Sequence, residues 1–188
     1  MDMRCSWAES SDVERHYHDA EWGVPVRDDQ RLFEFLVLEG AQAGLSWSTI
    51  LNRREGYRTA FHNFDIDAVA SMADDELEKL REDTGIIRNR LKIYSARKNA
   101  FAAQAIIREH GSLAKYLWSF VDNISVDGAR GSISEVPATT ERSDAMSSAL
   151  KKAGFTFVGP TICYAFMQAT GMVNDHVATC FRYREIRA

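Results

Sequence analysis

The chain has 188 residues, 45% hydrophobic and 27% charged, enough for one substantial core, so a single domain over residues 1–188 is expected. No run approaches the ~18 consecutive apolar residues of a membrane span, and residues 1–7 lack the apolar core of a secretory leader, so no membrane partner and a cytoplasmic location are expected. The net charge of −4 does not by itself argue for a nucleic-acid partner, but it leaves DNA binding open, because phosphate contacts depend on where cations cluster.

Apolar residues at helical spacing predict helix after helix. Over residues 29–43 the stripe is Leu32, Phe35, Leu36, Glu39 and Ala43. Ser46 is placed to cap a following helix running through Ile50, Leu51 and Arg54. Further helices are expected over residues 74–81, 90–109 and 112–121. Within residues 84–99, Arg88, Arg90, Lys92, Arg97 and Lys98 stand without an acidic residue, either as a solvated helix face or as a DNA contact. Residues 123–140 carry Gly128, Gly131, Ser132, Ser134 and Pro137 and read as a long polar surface loop. Another helix starts at Ser143 or Asp144, buries Met146, Ala149, Leu150 and Ala153, and stops at Gly154. The last pair is expected over residues 160–170, with Pro160 in the first turn, and from Asn174 toward Tyr183. Alternating Val, Ile and Thr runs are scarce, so the fold class is all-α.

Four constellations carry chemistry. His176 and Cys180 are four residues apart and share a face if the segment is helical. With Cys5 and His18 they make a Cys2His2 set, the donors that zinc prefers in a closed structural site; the alternative is two scattered thiols and two ordinary histidines. Cys163, in an apolar helix, reads as packing. Glu39 lies on the apolar stripe of its helix, where a lone carboxylate is expensive. Either a structural arginine or a row of amides satisfies it, or it faces a cationic ligand in a pocket. Trp7, Tyr17, Trp22 and Trp47 then supply core, or stacking walls for an extruded base. The turn Gln42-Ala43-Gly44-Leu45-Ser46-Trp47 exposes Leu45 as a staple or as a wedge into a base stack. In Phe157-Val158-Gly159-Pro160-Thr161, a glycine precedes a helix N-terminus whose free amides suit phosphate.

Taken together these residues resemble the 3-methyladenine DNA glycosylase I family. The resemblance runs over nearly the whole chain: Cys5-Ser6-Trp7, Tyr17-His18-Asp19, Glu21-Trp22-Gly23-Val24-Pro25, Leu38-Glu39-Gly40, Gln42 to Trp47, Gly85-Ile86-Ile87-Arg88, Ser134-Glu135-Val136-Pro137, Phe157-Val158-Gly159 and Val173-Asn174-Asp175-His176-Val177. It implies a helix-hairpin-helix fold with the hairpin at about residues 144–170 and one structural zinc on Cys5, His18, His176 and Cys180. It further implies a base pocket of Glu39, Trp7, Tyr17, Trp22 and Trp47, with Glu39 as the catalytic-site carboxylate. DNA contacts fall on Gln42, Gly44, Leu45, Gly159 and Thr161. The implied partners are double-stranded DNA carrying alkylated bases and free 3-methyladenine as product, acted on by a monomer.

Two positions depart from the pattern. Asn174 stands where the wider superfamily has a catalytic aspartate, with Asp175 beside it, and Glu14 stands where the family has a pocket tyrosine. The implied chemistry tolerates the first: a purine methylated at N3 is cationic and leaves as a neutral base, so no general acid has to protonate it. A damage sensor without turnover is the competing expectation. A zinc hydrolase conflicts with four protein ligands, which leave no open metal position.

Overall fold

The structure is a computed structural model that describes residues 3–187. After a short 3-10 turn, Ser6–Glu9, the Ser11 side chain accepts from the Glu14 amide and starts α1, Asp12–Ala20, which the hydrophobic pattern had not suggested. Asp28 caps α2, Asp29–Gln42, in which every residue from Leu32 to Ala41 is buried. A helix apolar on one stripe only would leave one side in water; this one is enclosed, and forms the axis of the fold.

Ser46 caps α3, Trp47–Leu51, as expected, but the chain breaks there and resumes as α4, Arg54–Ala60. Then follow α5, Ile66–Ser71, and α6, Asp74–Lys79. The long α7, Arg90–His110, closes on Gly111 in the left-handed region, at φ +90°. It leads to α8, Leu113–Trp118, capped by Ser112. The 123–140 loop contributes β1, Val126–Asp127. Next come α9, Glu141–Lys152; α10, Pro160–Ala169; β2, Val173–Asn174; and α11, Phe181–Arg187.

Two boundaries correct the sequence reading. α9 does not begin at Ser143: Thr140 is its cap, and the Ser143 hydroxyl reaches back to donate to the Thr140 carbonyl and accept from its amide, making a reciprocal box. Nor is there a helix from Asn174. Val173–Asn174 pairs in parallel with Val126–Asp127, and residues 175–180 are irregular. The Asn174 side chain accepts from the His176 amide and donates to the Tyr183 carbonyl, local bonds that compete with helix formation.

α2 packs against α3, α7, α8 and α10, and α10 packs on α9. Trp118, Phe33, Phe35, Phe61, Phe64 and Phe166 are the largest enclosed side chains. Gly40 lets α2 approach the α9–α10 turn: a Cβ there would lie 3.0 Å from the Phe157 Cβ. The end of α2 and that turn therefore share one face of the molecule. Among the described residues, no helix is long and apolar enough to cross a membrane.

Candidate active site

A cavity of about 330 Å³ opens beside the C-terminal half of α2. Trp7, Tyr17, Trp22, Glu39 and Trp47 all line it, together with Gln42 from the end of α2. The Trp7 and Trp22 rings meet edge to face at 5.0 Å between centroids, and Tyr17 tilts against Trp47 at 5.6 Å.

Two carboxylates on α2 are buried, and they are treated differently. Glu34 takes hydrogen bonds from Arg54 Nε at 2.6 Å and Arg58 Nε at 2.9 Å, in a network that Arg54 extends to Glu21. Glu39 has no hydrogen-bond partner among the described residues, and burial alone pushes its carboxyl up to about 8. The Tyr17 hydroxyl and the Trp47 indole N–H are buried without protein partners as well. One carboxyl and two donors left unmet in an aromatic cavity are costly for folding, and their combination describes a binding site for a flat polar ring. Among the described residues, no lysine or arginine lines the cavity.

Glu14 is on the rim, its carboxylate held by the Ser10 and Ser11 hydroxyls. The sequence reading missed four other wall residues: Ile133, Val136, Ala165 and Gln168. Ile133 and Val136 are apolar residues inside a mostly polar loop that also carries Ile124 and Val126, which was the available signal. Gln168 Nε2 donates to Asp175 at 2.9 Å; Asp175 also receives Arg130 Nε at 2.9 Å and the Tyr164 hydroxyl. Asp175 is thus buried, ion-paired and behind the wall, and neither it nor Asn174 lines the cavity.

The turn after α2 places Gly44 at φ +80° and leaves Leu45 39% exposed at its tip, not stapled into the core. In the α9–α10 turn, Ser147 donates to the Val158 carbonyl at 2.6 Å and Asn99 donates to the Thr156 carbonyl at 3.0 Å. Gly159 has open space where a Cβ would be, and Thr161 is exposed in the first turn of α10. The basic run of α7 is largely engaged. Arg90 pairs with Glu78 and Arg97 with Asp74, while Lys92 reaches the end of α2.

Cys5, His18, His176 and Cys180 are buried, with their donor atoms all within 4.8 Å of one another. His176 and Cys180 converge through the irregular 175–180 segment and not along a helix face. His176 Nε2 faces the Trp22 carbonyl at 3.0 Å, where a nitrogen can only donate, and turns Nδ1 toward the Cys5 and Cys180 sulfurs, each at 3.6 Å. His18 Nδ1 faces Asp19 at 2.9 Å, leaving Nε2 3.4 Å from the Cys180 sulfur. The two sulfurs bear on each other: proximity to Cys180, with burial, raises the pKa of Cys5, and proximity to Cys5 lowers that of Cys180.

Residues 7–183 match the family described as methyladenine glycosylase. Over 180 residues the chain is 48% identical to DNA-3-methyladenine glycosylase 1 of Escherichia coli (strain K12), covering 96% of each. It superposes on a crystal structure of 3-methyladenine DNA glycosylase I with a TM-score of 0.93 and 49% identity, covering 95% of this chain and 98% of that one. A variant of 3-methyladenine DNA glycosylase I in complex with 3-methyladenine superposes with a TM-score of 0.92 at 32% identity, covering 95% and 96%. The expected family thus stands, and the chain belongs to the methyladenine glycosylase family.

Proposed function

We propose that this protein is a DNA-3-methyladenine glycosylase: it extrudes an N3-methylated adenine from duplex DNA into the aromatic cavity and hydrolyses its N-glycosidic bond. The observation that carries this reading is the unpaired Glu39 beside the unmet Tyr17 and Trp47 donors. The carboxylate complements a cationic base and accepts from its exocyclic amino group, and the two donors meet its ring nitrogens. The ring faces of Trp7, Trp22, Tyr17 and Trp47 add stacking and cation–π attraction.

As the bond between the sugar C1′ and the base nitrogen breaks, its electron pair neutralises the purine, which leaves as free 3-methyladenine without a protonating acid. Water adds to C1′ and releases its proton to solvent, leaving an abasic site. Among the described residues, no lysine lines the cavity to form an imine with the sugar, so strand cleavage is not part of the reaction. Unmethylated purines lack the built-in positive charge and are poor leaving groups even if they enter. The aromatic site holds the nucleotide toward the transition state, so the reaction needs no aspartate at position 174.

DNA engages the face where α2 ends. Leu45 fills the gap left by the extruded base, with Gln42 and Gly44 shaping its turn. The α9–α10 pair serves as the helix-hairpin-helix, in which Gly159 and Thr161 present free amides to a phosphate without a basic surface. One structural zinc fits the Cys2His2 cluster. Zn–S bonds of about 2.3 Å and Zn–N bonds of about 2.05 Å give tetrahedral S···N edges of about 3.5 Å. Three of the S···N separations here are 3.4–3.6 Å, and all four donor atoms lie within 4.8 Å of one another. The partners of the outer ring nitrogens, Asp19 and the Trp22 carbonyl, orient both histidines as metal ligands usually are. Four protein donors leave no position for water, so the ion is structural.

The test is incubation of the monomeric protein with methylated duplex DNA, followed by chromatography of released bases. Free 3-methyladenine with intact strands is expected; tight binding without release would make the protein a damage sensor.

A further inference from the structure

The first turn of α7 contains an anomaly. Lys92 is the third residue of the helix, its amide held by the Asn89 cap, and no acidic residue accompanies it in that turn. A cation there opposes the helix dipole, whose positive end lies at the N-terminus. Its side chain does not turn back to a carboxylate. It crosses to the C-terminal end of α2, where Nζ donates to the Ala41 and Ala43 carbonyls, each at 2.7 Å. Burial lowers its pKa.

What it holds there is the backbone that carries Leu45. The last carbonyls of a helix lack intrahelical donors and must be met from outside. At the end of α2, Gly40 accepts from the Ala43 amide at 3.4 Å and Gln42 from the Leu45 amide at 2.6 Å, both made by the turn itself. Ala41 and Ala43 are met by Lys92. Gly44 then swings the chain through φ +80°, and Leu45 projects. The turn contains a glycine and carries an exposed apolar tip; beside its own amide bonds it has one long side-chain contact, Gln42 Nε2 to the Leu45 carbonyl at 3.4 Å, so the two short Lys92 bonds are the main outside hold on its direction. A cation at a helix C-terminus is also the favourable placement for the α2 dipole.

We propose that Lys92 is a positioning residue that pre-organises the Leu45 wedge, fixing the turn at residues 43–45 before DNA arrives. This rests on the reading of Leu45 as a wedge. A loose tip must be ordered at the moment of insertion, which raises the barrier to base extrusion; a pinned one does not. The effect is confined to stacked DNA, since a single strand has no gap to fill.

The experiment compares single-turnover excision of 3-methyladenine from methylated duplex and single-stranded DNA by the full chain and by Lys92→Met. The methionine keeps the stem and removes the donors. Duplex excision is expected to fall about tenfold, single-strand excision and binding of free 3-methyladenine (tryptophan fluorescence) by less than about twofold. Leu45→Gly serves as the reference, and adding Lys92→Met to it should cost little more, because both act on one element. Should Lys92→Met fail to fold, Lys92→Gln retains fewer donors in the same place and should show a smaller split of the same sign. Equal loss on both DNA forms, or no loss on either, overturns the proposal. If Leu45→Gly separates the two substrates and Lys92→Met does not, Lys92 is a helix staple and the wedge stands. If neither separates them, the wedge reading falls with it.

Discussion

Glu34 and Glu39 sit on one buried helix, and only the second is left without a cation. Its carboxyl has a folded pKa of about 8 against an ordinary 4.5, which fixes the sign of its effect on stability. Below pH 4.5 the group is protonated in both states and contributes nothing. Between 4.5 and 8 the unfolded chain ionises while the folded one keeps its proton, so folding is penalised increasingly as pH rises. Water in the open cavity relieves part of the burial, so Glu39→Gln should raise stability at pH 7 by about 1–3 kcal/mol, with the gain shrinking toward pH 5. Urea unfolding at the two pH values checks this; an equal gain at both would mean that the carboxyl charge is not its source. The same substitution should weaken binding and excision of 3-methyladenine, because the group that burdens the empty fold is the one that complements a cationic base. Site residues commonly trade stability for function in this way. Asn174 is the opposite case. Its two local hydrogen bonds hold the His176 amide and the Tyr183 carbonyl, so its work is structural.

Along the elements, the stretch that looked least structured positions the most. Residues 123–140 pair with β2, send Arg130 to Asp175 and bring Ile133 and Val136 to the cavity wall. Gly128 makes this approach possible: a Cβ there would stand 2.0 Å from an Asp175 oxygen. Gly128→Ala must push the loop off or break the buried ion pair, and should cost about 2–4 kcal/mol in urea unfolding, with a matching loss of excision. A change within about 0.5 kcal/mol would show that the loop gives way freely. On α10, Thr161→Glu sets a negative charge against the free amides of the first turn. Affinity for duplex DNA should fall while free 3-methyladenine binding holds, as filter binding and fluorescence would report. Loss of both would move Thr161 into the pocket machinery. These elements also mark what could be read from the chain. Ser46, Pro160 and Gly154 announced their boundaries because caps and stops act locally. α1 was missed because its nine residues carry little beyond Tyr17 and His18 to bury. The tail from Asn174 was misread as helix because its course is set by pairing with Val126, a partner far away in sequence. Glu39 and the four tryptophan and tyrosine walls were legible as anomalies; the wall contact of Gln168 and the pairing of Asp175 were not, since only the fold brings Arg130 and Gln168 to Asp175.

For the molecule as a whole, the question is what joins the two ends. Cys5 and His18 come from the N-terminal segment, His176 and Cys180 from the C-terminal one, and no long helix spans the junction. Its other ties are local: the Phe181 amide donates to the Met3 carbonyl, the Gly23 and Val26 amides donate to the Ala169 and Thr170 carbonyls, and Arg4 lies over the Phe181 ring. Two thiols and two imidazoles enclosed without a cation would form a weak polar cluster, whereas a bound zinc converts the same four groups into a cross-link between segments far apart in sequence. The cluster is also continuous with the base pocket. Trp22 stacks edge-on to His176 at 4.5 Å and takes a hydrogen bond from it through its carbonyl, and Trp7 meets His18 at 5.3 Å. The expected result is one zinc per chain by elemental analysis, lost in Cys180→Ser. Chelation should lower Tm by roughly 10 °C or more. Hydrogen exchange should accelerate at both termini first, and the affinity for free 3-methyladenine should fall as Trp7 and Trp22 lose their backing, while α7 keeps its protection. A protein purified without metal, with thermal stability indifferent to chelator, would mean that packing around the four side chains suffices and that the ends are held by the core alone.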